Sequence, residues 1–164
     1  SQGIALEGMR LVIENLPRAY ATPGDLEARA HMMSAAMMGA TAFQKGLGAI
    51  HALSHPVGAM HHTHHGTTNA VCMPAVLQFN KPAIEERFDL AARYLGIEGG
   101  FDGFCRFVEA FNDSLGIPKS LAGLGVDAPD LDRIVEGALR DPSTGGNPVE
   151  MTRDNTMALL NEII

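Results

Sequence analysis

The sequence of 164 residues predicts an all-α fold, a bundle of about eight helices. Ala, Leu and Met outnumber Val and Ile, and these unbranched side chains lose little rotamer freedom in a helix. Apolar residues make up 46% of the chain and charged residues 19%, which is enough to bury a core and too apolar for intrinsic disorder. We therefore expect one helical domain over residues 1–164.

Each predicted helix follows from apolar periodicity bounded by start and stop signals. Asp25 is the predicted N-cap of the second helix. Pro17 predicts the end of the first helix, and Asn80-Lys81-Pro82 separates two later ones. The expected helices are 4–16, 26–44, 47–60 with a bend at Pro56, 67–79, 83–95, 103–115, 129–140 and 152–163.

The second predicted helix is built of Ala, Gly and Met, a composition that favours a buried central position. We assign its methionines to the core rather than to a substrate channel: Met32, Met33, Met37 and Met38. Cys72 lies in an apolar helix and is predicted to be a buried, unreactive thiol.

Charge and cysteine content exclude several classes of protein. The net charge is −7 and Lys and Arg form no cluster, which argues against a nucleic-acid partner. Cys72 and Cys105 cannot build a disulfide framework, and no segment resembles a secretory signal, so we expect a cytoplasmic location. The apolar stretch 30–43 is too short for a bilayer, and no membrane partner is expected.

Six of the seven histidines fall between His51 and His65. His51 and His55 are four residues apart, which places both imidazoles on one helix face. Gly58 and the polar turn after it leave enough chain to bring His65 back to the same place. Neutral imidazole binds Fe²⁺, Zn²⁺, Ni²⁺ and Co²⁺, so the pattern indicates a metal or catalytic site. The alternative is a surface turn whose histidines bind metal only adventitiously.

The sequence lacks the motifs of several other classes of enzyme. The segment from His51 to His55 has no Glu after the first histidine, which excludes the common zinc-protease pattern. No Gly-x-Ser-x-Gly follows a predicted strand, which argues against a serine hydrolase of that type. Neither phosphate-cradling glycine motif occurs, so the chain has no recognisable nucleotide loop.

The segment Gly46-Leu-Gly48-Ala-Ile-His51-Ala-Leu-Ser-His55-Pro-Val-Gly58-Ala resembles the signature of the iron-containing (group III) alcohol dehydrogenases. Its continuation, His65-Gly66-Thr-Thr-Asn69-Ala70-Val-Cys-Met-Pro74, resembles the same family, as does Phe79-Asn80 behind it. The resemblance runs from the helix that opens at Ile4 to Asn147-Pro148. It implies the C-terminal helical domain of that family, of the dehydroquinate synthase-like fold.

The resemblance also implies a role for each histidine. By motif position, His51 and His65 correspond to two metal ligands, and His55 to an additional active-site histidine that relays a proton. The implied cofactors are a divalent metal, Fe²⁺ or alternatively Zn²⁺, and NAD or NADP. The metal would act as a Lewis acid on the oxygen of a small alcohol or aldehyde. For His55, a packed histidine inside the bundle is the alternative.

This sequence departs from the family pattern at His64, which stands where a proline usually precedes the second ligand, so His61 and His64 are alternative donors. The family's other two ligands, an Asp and a His, would lie upstream of residue 1, as would the nucleotide-binding domain. We therefore expect weak or absent metal binding and no dehydrogenase activity in this chain alone. Exposed apolar surface would favour a homo-oligomer or attachment to the missing domain.

Two alternatives to an alcohol dehydrogenase stay open at this point. One is a related reductase of the same superfamily, acting on maleylacetate, or a hydroxyacid-oxoacid transhydrogenase. The other is a non-catalytic helical module that binds metal or a partner.

Overall fold

The computed structural model describes residues 1–128 and 130–164. Its α-helices are α1 Gln2–Ala21, α2 Leu26–Ala42, α3 Ala49–His61, α4 His65–Leu95, α5 Gly100–Ser114, α6 Leu131–Arg140 and α7 Arg153–Ile163. The described residues contain no strand, which confirms the all-α prediction. None of these helices combines the length and apolarity that crossing a bilayer requires.

Over the described residues the helix count is seven, because the predicted helices 67–79 and 83–95 are parts of one continuous helix, α4, which contains both Pro74 and Pro82. A proline removes one backbone hydrogen bond, and here neighbouring contacts outweigh that loss. Phe79 packs against the hydrophobic core, and Asn80 is buried with its amide paired to Asn147. The helix is therefore held on the N-terminal side of Pro82 by tertiary contacts.

The prediction that α1 ends at Pro17 was also wrong, since the helix continues to Ala21. Arg18, one residue after the proline, lies 2.8 Å from the Asp25 carboxylate and 3.0 Å from that of Glu27. These ion pairs tie the last turn of α1 to the start of α2. The prediction that Asp25 is an N-cap is confirmed, because its side chain accepts a hydrogen bond from Ala28 N–H at 3.0 Å.

The chain divides into two compact units, one of residues 1–45 and 86–104 and the other of residues 46–85 and 105–164. In the first unit, α1 approaches α2 closely at Gly8, where an added Cβ would lie 3.3 Å from the Met38 Cβ. The buried positions of α2 are Ala28 and Ala35, seven residues apart on one face. A side chain larger than that of Gly8 would therefore meet α2 at once.

The prediction that the α2 methionines fill a core was wrong for two of them. Met33 is 75% exposed and Met37 is 69% exposed. Apolar side chains are spread around the whole circumference of α2, but only the face with Ala28 and Ala35 is covered. The prediction from composition therefore overestimated the burial of α2.

The second unit holds a hydrophobic core formed mainly by α3, α4, α6 and α7. In α6 the buried residues recur at i, i+3, i+4 and i+7, which is the pattern of a helix with one apolar face. Cys72 is fully buried, as predicted. The buried members of the core are Ala49, Ala52, Leu53, Val57, Val71, Cys72, Val76, Leu121, Val126, Leu131, Ile134, Val135, Ala138, Met151, Leu159, Leu160 and Ile163.

Candidate metal centre

Three imidazoles lie together on the second unit. The ring centroids of His51 and His65 are 5.3 Å apart, and the His55 ring is 5.6 Å from each of them. His51 and His55 are one turn apart on α3, and His65 is the first residue of α4. The structure thus brings together the three histidines that the sequence motif singles out.

The chain reverses between α3 and α4 at His62, which adopts the left-handed conformation with φ of 54°. Its backbone N–H donates to the Gly58 carbonyl at 2.9 Å, which closes the last turn of α3. Thr68 fixes the start of α4, because its hydroxyl lies 3.0 Å from the His64 carbonyl and 2.8 Å from the Thr63 hydroxyl. This tight return brings His65 back beside α3.

The start of α3, which carries His51, is held by Asn147. The Asn147 Oδ1 accepts a hydrogen bond from the Ala49 N–H at 3.0 Å and so serves as a cap from 98 residues away. Gly48 lies directly against it, since a Cβ at position 48 would be only 2.8 Å from that oxygen. The long-range cap therefore fixes where α3 begins and how His51 is presented.

Asn69 lies between the two predicted ligands. Its amide Nδ2 is 3.1 Å from Nε2 of His65 and 3.4 Å from Nε2 of His51. An amide nitrogen only donates, so in this arrangement both Nε2 atoms accept from Asn69. Asn69 Oδ1 is buried and has no hydrogen-bond partner. The sequence motif predicted no role for Asn69, although its position one turn after His65 places it on the same helix face.

The electrostatics of the cluster favour an uncharged His51. Burial lowers the pKa of His51 most, the neighbouring His65 and His55 lower it further, and Asp141 opposes the shift. A metal ion binds the neutral form of imidazole, because the protonated ring has no free lone pair. The surroundings of His51 thus favour the form that a ligand requires.

Asp141 is a second residue of the site that no sequence motif indicated. Its Oδ2 lies 2.8 Å from Nδ1 of His55, although the two residues are 86 positions apart. Burial raises the pKa of Asp141, but the hydroxyl and N–H of Ser143 and the ring of His55 together lower it more, so the net shift is downward. The His55 side chain is 42% exposed, which is inconsistent with a histidine packed inside the bundle.

The alternative donors, His61 and His64, have other neighbours. His61 Nε2 is 3.5 Å from an Asp130 carboxylate oxygen. His64 Nδ1 lies 3.1 Å from the Thr67 hydroxyl and accepts from the Thr67 N–H at 3.3 Å. Neither contact involves the three clustered imidazoles.

The imidazole nitrogens of His51 and His65 match part of a metal-binding site. Imidazole nitrogens suit iron and zinc, and the Nε2 atoms of His51 and His65 lie 3.4 Å and 3.1 Å from the same Asn69 amide nitrogen. Over residues 1–128 and 130–164, no group of three or more His, Cys, Asp or Glu side chains has the arrangement of a complete site. The described residues therefore offer the two predicted ligands, His51 and His65, where a catalytic metal normally has three or four protein ligands.

The fold is all-α, and its second unit carries a cluster of three histidines. The family model described as "Fe-containing alcohol dehydrogenase family, C-terminal" matches residues 1–164, and the chain belongs to that family. This confirms the resemblance found in the sequence.

Similar proteins include 4-hydroxybutyrate dehydrogenase of Cupriavidus necator, 38% identical over 99% of this chain and 44% of that protein. The NAD-dependent methanol dehydrogenase of Bacillus methanolicus is 36% identical over 90% of this chain and 41% of its own length. The solved alcohol dehydrogenase from Oenococcus oeni superposes with a TM-score of 0.93 at 27% identity, over 99% of this chain and 44% of that one. The chain thus spans less than half the length of these relatives.

Proposed function

We propose that this chain is the metal- and substrate-binding part of an NAD(P)-linked oxidoreductase that acts on a small alcohol or aldehyde. The observation that carries the proposal is the cluster of the His51, His55 and His65 rings, whose centroids lie 5.3–5.6 Å apart. Clustered imidazoles in a helical domain of the Fe-containing alcohol dehydrogenase family are suited to a divalent ion.

In this proposal His51 and His65 hold the metal, Fe²⁺ or alternatively Zn²⁺. The bound ion would supply Lewis acidity at the substrate oxygen, and the nicotinamide would supply or accept the hydride. The protein contributes the fixed angle between the two imidazoles. The cap of Asn147 on Ala49 supports that angle because it anchors the helix that carries His51.

His55 has the role of proton carrier. It belongs to the same cluster as the proposed ligands, yet its ring is 42% exposed, so it can exchange a proton with solvent. During alcohol oxidation a proton must leave the hydroxyl group, and an imidazole is the side chain best suited to accept it near neutral pH. His55 is therefore proposed as the group that moves the proton, with no role as a ligand.

The remaining donors and the nucleotide site are proposed to belong to a further domain of the natural protein. Two neutral imidazoles without a carboxylate form a weak site, so the 164-residue chain should bind metal weakly and be inactive alone. Exposed apolar side chains on α2, including Leu26 and Met33, support association into a homo-oligomer or with that domain. Light scattering of the purified chain at two concentrations tests the homo-oligomer.

The proposal is tested on two proteins: the 164-residue chain and the natural translation product whose reading frame contains it. We expect calorimetric titration with Zn²⁺, and with Fe²⁺ under anaerobic conditions, to show weak binding to the chain and tight binding to the longer product. In the longer product, His51→Ala or His65→Ala should abolish metal binding and NAD(P)-linked turnover. His55→Ala should keep the metal and lose rate. His31→Ala, an exposed histidine on α2, is the matched control.

Three results would contradict this proposal. Turnover that survives His51→Ala and His65→Ala would remove both residues from the metal site. Tight, stoichiometric binding to the 164-residue chain at these two histidines would show that the site is complete without further donors. A natural product that starts near residue 1 and acts without a partner subunit would favour a binding module. Analysis of the products formed by the natural translation product distinguishes an alcohol dehydrogenase from a maleylacetate-type reductase.

A further inference from the structure

Asp141 stands at a fixed point beside the histidine cluster. It follows the last residue of α6, and its backbone N–H donates to the Ala138 carbonyl at 3.1 Å. Its Oδ1 accepts from the Ser143 N–H at 2.8 Å, and its backbone carbonyl accepts from the Thr144 N–H at 3.0 Å. The side chain is only 12% exposed. Asp141 therefore has little freedom to move, and its second oxygen, Oδ2, points at His55.

The contact between Asp141 Oδ2 and His55 Nδ1 has one chemical consequence. An ionised carboxylate only accepts hydrogen bonds, so at 2.8 Å the proton of a neutral His55 ring must be on Nδ1. The other nitrogen, Nε2, then carries a free lone pair. The carboxylate thus selects one of the two neutral tautomers of His55 and fixes the plane of its ring.

We propose that Asp141 is a positioning residue that holds His55 as the Nδ1–H tautomer, with Nε2 ready to accept the hydroxyl proton of an alcohol. This inference deepens the proposed function and rests on it for the substrate. In the oxidation direction the O–H bond of the alcohol breaks and a bond forms from that proton to Nε2. The C–H bond would break as its hydride passes to NAD(P)⁺, and the electron pair of the O–H bond would form the C=O bond of the product. The resulting imidazolium carries both ring protons and remains paired with the Asp141 carboxylate until Nε2 releases its proton to solvent.

Asp141 is proposed to act by selecting one tautomer of His55, so the test measures which ring nitrogen of His55 carries the proton. Long-range ¹H–¹⁵N spectra of the ¹⁵N-histidine-labelled 164-residue chain, at roughly pH 8 where free imidazole is neutral, distinguish the two ring nitrogens of each histidine. The His55 signals are assigned by their loss in His55→Gln. We expect wild-type His55 to be protonated on Nδ1. Asp141→Ala should give a mixture of tautomers, and Asp141→Asn should lose the preference, because an amide can donate as well as accept.

The charge control is Asp154→Asn, which removes one carboxylate from the exposed first turn of α7 and should leave the His55 spectrum unchanged. Protonation of wild-type His55 on Nε2 would overturn the inference, and this result needs no variant to fold. An unchanged Nδ1–H signal in a folded Asp141→Ala chain would overturn it as well.

A second experiment measures the steady-state kinetics of the natural translation product loaded with metal. Asp141→Asn should lower kcat roughly 10-fold to 100-fold with little change in KM, as for other residues that orient a functional imidazole. Unchanged kcat in that variant would overturn the positioning role. Failure of metal binding at His51 and His65 would overturn the proposed function, and the tautomer of His55 would still be measured independently of it.

Discussion

Asn80 and Asn147 exchange two amide hydrogen bonds, with Nδ2 to Oδ1 distances of 3.0 Å and 2.8 Å in the two directions. The same Asn147 also caps α3 at Ala49 and donates to the Val149 carbonyl at 2.7 Å. One side chain thus joins the middle of α4, the start of α3 and the segment before α7.

Asn147→Ala should lower the free energy of unfolding by about 2–4 kcal/mol, because it leaves the buried amide of Asn80 and the Ala49 N–H without partners. Urea unfolding followed by circular dichroism measures the change. Asn161→Ala, at an exposed position on α7, should stay within about 0.5 kcal/mol of the wild type. Equal effects of the two substitutions would show that the Asn80–Asn147 pair contributes nothing specific.

Gly137 lies in α6 directly against Pro56 of α3, where an added Cβ would be 2.7 Å from the Pro56 Cβ. Gly137→Ala should therefore destabilise the chain by roughly 1–3 kcal/mol through overpacking, although alanine is the better helix former. Gly39→Ala on α2 meets nothing within 4 Å and should stabilise by about 0.5–1 kcal/mol. Thermal unfolding of both variants compares them, and a stabilising Gly137→Ala would contradict the close contact.

Cys72 should be chemically inert in the folded chain. Burial raises the pKa of its thiol to about 12, and thiols react as thiolates. We expect iodoacetamide at neutral pH to modify the Cys72 peptide slowly in buffer and rapidly in denaturant, as measured by mass spectrometry. Equal rates in the two conditions would contradict the burial of this side chain.

The low pKa of His51 predicts an acid-sensitive fold. Because the folded-state pKa is below the unfolded value of about 6.5, the unfolded chain takes up this proton first as the pH falls. Stability from this group is therefore unchanged above about pH 6.5 and decreases below it, until the pH passes the folded pKa. His51→Gln should reduce that decrease in the metal-free chain, measured by denaturant unfolding between about pH 8 and pH 5. An identical pH dependence in the variant would contradict the shift.

Local patterns in the sequence predicted the helical class, the N-cap at Asp25 and the burial of Cys72. They also identified the histidine cluster, because His51 and His55 share a helix face whatever the rest of the fold does. The return of His65 was predicted from a turn, although the left-handed residue is His62 rather than Gly58. These features depend on residues close together in the chain, so the sequence contains the information directly.

Tertiary structure decided the remaining features. Both α1 and α4 continue past an internal proline, and both make contacts beside it that local signals do not reveal. Arg18 pairs with Asp25 and Glu27 after Pro17, while Phe79 packs on the core and Asn80 pairs with Asn147 before Pro82. The exposure of Met33 depends on which face of α2 is covered. The Asp141–His55 contact joins residues 86 positions apart. Helix propensity and histidine spacing are local properties of the chain, whereas a carboxylate meets a distant imidazole only after α3 and α6 have packed together.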